Sequence, residues 1–423
     1  MYPGREQWTR RLKAAFDDQR EALVDLGRWL HEHPEPDGEE TRTADSIAAF
    51  LVAAGFEVEL GLAGMPTALQ ARYYHWDTEA MRKGLRHPHI GFIADYAATP
   101  EGHTLGNHLN MIASLGAAAA LAKMMPPDLF DAVSVFGCPG PDLLGGKSRL
   151  AATGVFESAD QMYGAFPALS GQGYPPIGDY YGQTLARAYV HIRYLEGADT
   201  QLTALQTGVA ELFDDLQPAE RISPTENGFI IDAKTAPRAQ ALYEQIAKLA
   251  DTRARSHGDG VEIELTALVH DMNPNRIVSR RAKTFAHSAR LPVDTPVKSP
   301  PGPPTDWGTV SYSTAVLRWP FPITTEQVSA HDRRFAELSS RDEAYELTLE
   351  VAYIMACLAL DSMADINFRG FIENDFVNGL QDRGVERRHR RWTGVHAVQP
   401  REASMPPILT PHARIISGGV EAD

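Results

Sequence analysis

Histidine and aspartate side chains lie on two glycine-rich stretches, where backbone turns can bring them together. The first stretch covers residues 102–108 and includes His103, and the second covers residues 137–142 and ends at Asp142. A third candidate, His331, lies much later in the chain. A carboxylate and an imidazole together can carry out proton transfer without a metal ion. Asp142 with His331 or His103 is therefore the predicted acid–base pair.

Three residues near these stretches carry further reactive groups. Asp95 follows an apolar run and is an additional candidate for a catalytic role. Cys138 could act as a nucleophile beside a base, but a lone cysteine at the end of an apolar run is more typical of packing. Lys147 follows Gly145 and Gly146 and could hold an anion, although the complete phosphate-loop pattern is absent from the sequence.

Strands that alternate with helices are predicted to position these residues. The apolar runs at 89–94 and 132–137 predict buried strands, and the alanine-rich run 111–124 predicts a buried helix between them. Apolar residues at helical spacing predict further helices at 6–33 and 39–53. The alternation indicates a layered α/β domain. Ligands of such domains usually bind at the carboxyl ends of the strands, which both glycine-rich stretches follow.

A second, smaller unit is predicted to be inserted into this domain. Strand patterns at 186–194, 228–236 and 261–269 alternate with helical patterns at 200–216 and 238–256. This order fits a small two-layer α+β domain. The predicted main α/β domain has two parts, residues 1–183 and 291–380. An inserted lid or dimerisation domain lies between them at 184–290, and a basic, proline-rich extension follows at 381–423.

Composition is that of an ordinary globular protein and limits the choice of partners. The formal net charge of -15 argues against nucleic acid or an anionic membrane as a partner. Two cysteines are too few for a disulfide framework, and no apolar run follows a basic start at the N-terminus. These features predict a cytoplasmic protein. The apolar pattern at 342–364 predicts a helix in the core.

Several motifs in the same order resemble the aminoacylase-like family of dinuclear zinc peptidases and amidohydrolases. Residues 30–35 resemble the opening helix signature of the branch that hydrolyses N-acyl and indole-acetyl amino acids. Residues 93–100 resemble the strand that leads into its first metal loop, and residues 305–311 resemble its late Asp-x-Gly loop. Residues 331–335 are similar to its last metal loop. The resemblance implies the layered α/β fold of a zinc exopeptidase with an inserted lid.

The resemblance also implies metal ligands and a general base, most of which this sequence replaces. Asp142 is a shortened substitute for a glutamate ligand, and His331 is unchanged. Proline cannot accept a proton, so the water-activating base of the family is absent. Four family positions carry residues that supply neither a base nor the usual ligand: Leu105, Asn107, Pro141 and Phe166.

These replacements predict a protein that uses no cofactor. One zinc or other divalent ion remains an alternative, with the ligands His331, Asp142 and His108. The predicted substrate-binding residues come from both units and are His108, Asn107, Gln201 and Asp306. Gln201 takes the approximate place of a lid histidine in the family.

Three functions stay open at this point. The favoured one is a metal-independent enzyme that cyclises, condenses or cleaves a small amide or amino-acid-like substrate. The alternatives are a pseudoenzyme that binds a small molecule or a partner, and a single-metal amidohydrolase or peptidase with shifted ligands. The favoured function rests on glycines that a mere scaffold would not require: Gly102, Gly106, Gly137, Gly145 and Gly146. The resemblance further implies a homodimer formed through the inserted domain.

Overall fold

Two β-sheets with helices packed against them make up the part of the chain that the structure describes. The structure is a computed structural model. It describes residues 5–74, 87–124, 132–141, 143–168, 183–195, 198–212, 216–289, 291, 301–324, 326, 328, 332–386 and 413–417.

The first sheet has six strands, namely β1 (Glu57–Leu60), β2 (Leu69–Tyr74), β3 (His89–Asp95), β4 (Ala132–Cys138), β5 (Gln161–Ala168) and β10 (Ala315–Pro322). Their order across the sheet is β1-β2-β4-β3-β5-β10. The last four strands in this order run parallel, so their carboxyl ends meet at one edge. β3 and β4 are buried along their whole length, as is usual for parallel strands that helices cover on both faces.

Helices cover this sheet and supply most of its core. They are α1 (Arg5–Asp17), α2 (Arg20–Glu32), α3 (Thr41–Ala53), α4 (Asn107–Met124), α5 (Gly146–Ala152), α8 (Arg276–Ser288), α9 (Asp306–Ser313), α10 (Arg333–Ser339), α11 (Asp342–Ala364) and α12 (Ile366–Gln381). α4 and α11 pack closely against each other; α4 is almost entirely buried and α11 is buried along most of its length. α11 is long and apolar enough to cross a membrane, but 78% of its apolar window is buried inside the fold. It is a core helix, as its pattern predicts.

The second sheet has five strands, namely β6 (Ala186–Tyr194), β7 (Arg221–Thr225), β8 (Gly228–Ala233), β9 (Val261–Val269) and β11 (Ala413–Ser417). The order is β11-β9-β6-β8-β7, and every neighbouring pair is antiparallel. Two helices pack against it: α6 (Ala198–Leu212) and α7 (Ala236–Ser256). Buried and partly exposed residues alternate along β6 and β9, because such a sheet packs on one face and meets solvent on the other.

A polar segment at residues 270–275 connects the second sheet back to the helices of the first. The carboxylate of Asp271 accepts hydrogen bonds from the Ala236 amide at 2.9 Å and the Tyr312 hydroxyl at 2.5 Å. Its other oxygen accepts from Nε of Arg383 at 2.7 Å. Arg383 belongs to the predicted basic extension, yet it is anchored at the end of α12. Residues 387–412 of that extension lie outside the described residues.

The predicted layered α/β fold is confirmed, although several elements differ from the sequence pattern. The predicted helix at 6–33 is two helices, separated by a short break at Asp18 and Gln19. The sequence pattern did not indicate β5, β10 or α8. α8 packs against α11, where Arg281 binds Asp361 at 2.7 Å. The residue limits of the domains stay predictions.

Candidate active site at the carboxyl edge of the six-stranded sheet

Both glycine-rich stretches follow parallel strands at the carboxyl edge of the first sheet. The parallel register pairs Asp95 at the end of β3 with Cys138 at the end of β4. The loops that follow these two residues therefore start at the same level. This arrangement is the one that the sequence predicts, and it brings the second loop next to Asp95.

The second loop is folded into a tight turn by its own backbone. The amide of Gly146 donates to the Pro139 carbonyl at 2.7 Å, and the amide of Gly140 donates to Oε1 of Glu40 at 2.9 Å. Glu40 is fully buried. Gly140 has a φ of 87° and Leu144 a φ of 61°, in the left-handed region that glycine adopts at no steric cost. The loop is thus held in one shape by backbone contacts and by a buried carboxylate.

Asp306 is the second carboxylate that holds this loop. It accepts hydrogen bonds from the amides of Leu144 and Gly145, each at 2.8 Å, and from the amide of Ser148 at 3.4 Å. These amides lie at the start of α5, where a carboxylate satisfies unpaired donors and complements the helix dipole. Asp306 is fully buried. Sequence analysis assigns it to substrate binding, whereas the structure places its carboxylate against the backbone.

Lys147 forms a buried ion pair with Asp95 at the end of β3. Its Nζ lies 2.6 Å from Oδ1 of Asp95, and the two side chains are 2% and 12% exposed. Lysine is almost never fully buried unless it is paired, so this contact explains how the ammonium is accommodated. The pair joins the end of β3 to the start of α5. A cation and a carboxylate therefore stand together between the two loops.

Cys138 lies beside this ion pair as a protonated thiol. Its side chain is 1% exposed, and Sγ contacts the Phe136 carbonyl oxygen at 3.6 Å. Burial and the nearby Asp95 carboxylate raise the pKa of the thiol well above its usual value. The thiolate, which is the nucleophilic form, is disfavoured here, in agreement with the packing role that the sequence indicates.

His103 and His108 form a cluster with His31. Nε2 of His103 donates to the Leu30 carbonyl and Nε2 of His108 to the Ser339 carbonyl, both at 3.1 Å. The ring centroids of His103 and His108 are 4.8 Å apart. Burial, with a further contribution from His31, lowers the pKa of His103 to about 4. Burial and the neighbouring imidazoles also lower the pKa of His108. Both rings are therefore neutral near pH 7.

The remaining predicted site residues are divided between the two units. Nδ2 of Asn107, at the start of α4, donates to the Ala97 carbonyl at 2.8 Å. Nε2 of Gln201, on α6 beside the five-stranded sheet, donates to Asp259 at 2.8 Å. Asp142 and His331, the two predicted acid–base residues, lie outside the described residues.

Arg318 and Phe166 form a stacked pair that sequence analysis did not identify. Cζ of Arg318 lies 3.9 Å from the centre of the Phe166 ring. Phe166 occupies the position where the family resemblance implies a histidine ligand. A signal for Arg318 was present in the sequence, because it is the one charged residue within the apolar run 315–322.

The described residues at this edge do not fit a pair of metal ions. Each zinc ion needs several thiolate, imidazole or carboxylate ligands. Leu105 and Phe166 carry no lone pairs, and the Asn107 amide group is turned toward a backbone carbonyl. Asp95 is paired with Lys147. Among the described residues, no group of three or more His, Cys, Asp or Glu side chains could hold a metal ion.

Comparisons with known proteins identify relatives among hydrolases. No family model matches the chain. The chain is 26% identical over 409 residues to the human Xaa-Arg dipeptidase, with 87% of this chain and 91% of that protein covered. It is 24% identical over 310 residues to a p-aminobenzoyl-glutamate hydrolase polypeptide of Escherichia coli K12, covering 62% and 61% of the two chains.

A solved structure extends the likeness to the fold. A dinuclear metal-binding peptidase of the M20 family from Bacillus subtilis superposes with a TM-score of 0.58 at 16% identity. The match covers 82% of this chain and 99% of that chain. The expectation that this protein uses no cofactor is wrong. The Bacillus subtilis protein is a dinuclear metal-binding peptidase, so a metal cofactor is expected. The chain is thus similar in sequence to a dipeptidase and to an aminobenzoyl-glutamate hydrolase, and in fold to a dinuclear metal-binding peptidase, in agreement with the aminoacylase-like family that its motifs resemble.

Proposed function

We propose that this protein is an enzyme that acts on a small amide or amino-acid-like substrate at the carboxyl edge of its six-stranded sheet. The relatives support the substrate class, because a dipeptide and a p-aminobenzoyl-glutamate both contain an amide bond. The replaced family residues support a centre whose chemistry differs from that of a dinuclear peptidase. We further propose that it works in the cytoplasm, as its cysteine content indicates.

The ion pair between Lys147 and Asp95 is the observation that carries this proposal. An ammonium held 2.6 Å from a carboxylate, with 2% of its side chain exposed, forms with it a fixed pair of no net charge in a medium of low dielectric constant. In this proposal the ammonium end of that dipole stabilises negative charge that develops on the oxygen of an attacked amide carbonyl. Since Asp95 holds the ammonium in place, little reorganisation is needed during the reaction. We assign to Lys147 an electrostatic role and to Asp95 the role of positioning it.

Proton transfer in this proposal falls to Asp142 and His331. His103 is a poor candidate because its ring is buried and its Nε2 is bound to the Leu30 carbonyl. Asp142 follows directly on the turn at residues 139–141, which Glu40 holds in place. A carboxylate with an imidazole provides the acid and the base that amide chemistry requires.

The test is a turnover assay with the purified full-length chain and a panel of N-acyl amino acids and dipeptides. The assay is run as purified, with added zinc or manganese, and with a chelator, and metal content is measured in parallel. We expect turnover that Asp142→Asn and His331→Ala each reduce by at least about 100-fold, the usual contribution of a general acid or base. Asp18→Asn, in the exposed break between α1 and α2, serves as the matched carboxylate control and should leave turnover unchanged.

Each outcome of this assay selects one function. Stoichiometric metal with chelator-sensitive turnover identifies a single-metal amidohydrolase with shifted ligands. Products other than free acid and amine identify cyclisation, condensation or lyase chemistry. No turnover under any condition, with ligand binding that Asp142→Asn alters, identifies a binding protein and refutes the proposal of an enzyme.

We also propose that the protein is a homodimer joined through the inserted unit. β7 lies at one end of the order of the five-stranded sheet, and its residues are mostly exposed. An exposed edge strand offers backbone groups that can pair with a second copy. Light scattering coupled to size-exclusion chromatography tests this, and a mass of about 46.5 kDa at all concentrations, that of one chain, would contradict it.

A further inference from the structure

The helices and strands from β6 to β9 form a second unit, which the chain enters and leaves through two segments that lie side by side. It enters at residues 183–185 and leaves at residues 270–275. The Met272 amide of the second segment donates to Oγ1 of Thr184 in the first, at 3.0 Å. Two adjacent crossings of this kind form a hinge, in which a few residues at the ends of elements can absorb a rotation of one unit.

Little packing between helices and strands joins this unit to the rest of the fold. Among the described helices and strands, the most extensive contact across the boundary is that of α9 with β9. There, Gly308 of α9 lies against the His270 carbonyl, and a Cβ on Gly308 would lie less than 3.0 Å from its oxygen. Units joined by a small interface usually move relative to each other, so a single orientation requires further contacts at the hinge.

Asp271 supplies such contacts to three separate parts of the fold. Its Oδ1 accepts from the Ala236 amide at the start of α7, at 2.9 Å, and from the Tyr312 hydroxyl of α9, at 2.5 Å. Its Oδ2 accepts from Nε of Arg383, which follows α12, at 2.7 Å. Asp271 is 2% exposed, so these bonds form away from water, where hydrogen bonds to a charged group are strong.

Arg383 binds the hinge segment with all three nitrogens of its guanidinium group. It also donates to the Met272 carbonyl at 2.6 Å, to Oδ1 of Asn273 at 3.2 Å and to the Gly379 carbonyl at 2.7 Å. Burial raises the pKa of the Asp271 carboxyl above its ordinary value, and Arg383 opposes this rise. The charge of Asp271 therefore depends on Arg383, and the two residues function together.

α9 connects this hinge to the candidate active site. Asp306 at its start accepts from two amides of the second loop, and Tyr312 near its end binds Asp271. We propose that Asp271 and Arg383 form a latch that holds the second unit in one orientation relative to α9, and thereby relative to the second loop. The latch goes beyond the proposed function, because it concerns the arrangement of the two units and holds whether or not the protein turns over a substrate.

The test measures the distance between the two units with spin labels and double electron–electron resonance. Val52→Cys on α3 and Gln245→Cys on α7 place one label at an exposed position of each unit, and the two native cysteines are buried. We expect the full chain with its latch intact to give one narrow distance distribution. Arg383→Gln, which keeps hydrogen-bond donors but removes the charge, should lose this narrow distribution and give a broader or displaced one.

Arg187→Gln is the matched control, because it breaks a similar ion pair that lies entirely within the second unit. Arg187 pairs with Asp232 at an Nε–Oδ1 distance of 2.6 Å, and the two side chains are 26% and 16% exposed. The Nε–Oδ2 distance of the latch is 2.7 Å, and its side chains are 16% and 2% exposed. Arg187→Gln should leave the distance distribution unchanged. Arg383→Lys keeps the charge without the planar fork and should retain only part of the narrow distribution.

A second variant and a second measurement separate the latch from a general loss of folding. Asp271→Asn should broaden the distribution as Arg383→Gln does, and the double variant should broaden it no further, because both changes remove the same contact. Hydrogen exchange of the amides of α11, in the core of the first sheet, should stay slow in all of these variants.

The latch is refuted if Arg383→Gln keeps the narrow distribution, or if Arg187→Gln broadens it equally. It is also refuted if the narrow distribution is lost only together with the protection of α11, since Arg383 would then be needed for folding and not for orientation. A broad distribution with the latch intact would likewise contradict it. None of these outcomes depends on turnover, so failure of the latch leaves the proposed function standing.

Discussion

The strongest prediction concerns the ion pair that joins the two loops. Replacing Lys147 by methionine keeps the length of the side chain but removes its charge. The carboxylate of Asp95 is then left buried without its cation, since the two atoms are 2.6 Å apart and Asp95 is 12% exposed. Breaking a buried pair in this way costs about 3–5 kcal/mol. Lys147→Met should therefore destabilise the protein strongly.

The size of the effect follows from the length of the chain. The entropy of unfolding is about 2.1 cal/mol/K per residue, or about 0.9 kcal/mol/K for 423 residues. A loss of 3–5 kcal/mol then lowers the melting temperature by about 3–6 °C. Differential scanning fluorimetry resolves this. Adding Asp95→Asn to Lys147→Met removes the carboxylate charge that has lost its ammonium and should recover a large part of the loss.

Lys123→Met is the matched control for this experiment. Lys123 pairs with Asp18 at 2.8 Å, but the two side chains are 57% and 62% exposed. An exposed pair contributes about 0–1 kcal/mol, so the melting temperature should fall by about 1 °C or less. The reasoning is refuted if Lys147→Met and Lys123→Met cause equal shifts. It is also refuted if the double variant is less stable than Lys147→Met alone.

Three further predictions follow from other buried groups. Asp306→Ala removes the acceptor of three amides at the start of α5. It should lower the free energy of unfolding by about 1–3 kcal/mol and speed hydrogen exchange of these amides. Unchanged exchange would contradict the capping role. Burial lowers the pKa of His270 to about 4 from 6.5, so the unfolded chain binds more protons between these values and stability falls as pH drops from 6.5 to 4. His270→Gln should flatten the pH dependence of the melting temperature in that window, and an unchanged slope would exclude His270 as its source. Gly164→Ala should lower the free energy of unfolding by about 1–3 kcal/mol, because the added methyl group meets Trp307. Gly370→Ala, in open space on α12, should be neutral or stabilising. Equal melting temperatures for the two variants would contradict this account.

Long apolar patterns predicted β3, β4 and α11, whereas prolines concealed β5 and β10. β3 and β4 are buried throughout and α11 along most of its length, so apolar residues dominate their sequences. β10 contains Pro320 and Pro322, which a central strand does not tolerate. The two prolines are tolerated here because β10 is an edge strand of its sheet. Pro167 lies in β5 beyond the ladder to β3, which runs only from Gln161 to Tyr163.

The positions of site residues could be predicted, but not the directions of their side chains. The strand order places Asp95 and the second loop at one edge, as the sequence indicates. Asp306 turns toward backbone amides and His103 toward the Leu30 carbonyl. Segments that are distant in the sequence bring these backbone groups close to the two side chains. The stack of Arg318 on Phe166 likewise depends on a register between strands 152 residues apart in sequence, counted from 166 to 318. Sequence periodicity contains no information on such pairings.

The glycines of the two loops have a structural explanation that sequence analysis could not supply. A Cβ on Gly145 would lie less than 3.0 Å from the Pro141 carbonyl oxygen, and one on Gly146 less than 3.0 Å from that of Pro139. Gly106 has a φ of 66°, which disfavours other residues. These glycines are needed for the turns themselves. Their persistence is therefore no argument for a surviving active site.

The case for chemistry at this edge depends instead on charged side chains. A buried ion pair is often no more stable than a well-packed apolar pair of the same volume. A chain retained only as a scaffold would gain little by keeping Lys147 opposite Asp95. The pair as a whole could be replaced by apolar residues, although neither partner can be removed alone, so its retention supports the proposed chemistry at this edge.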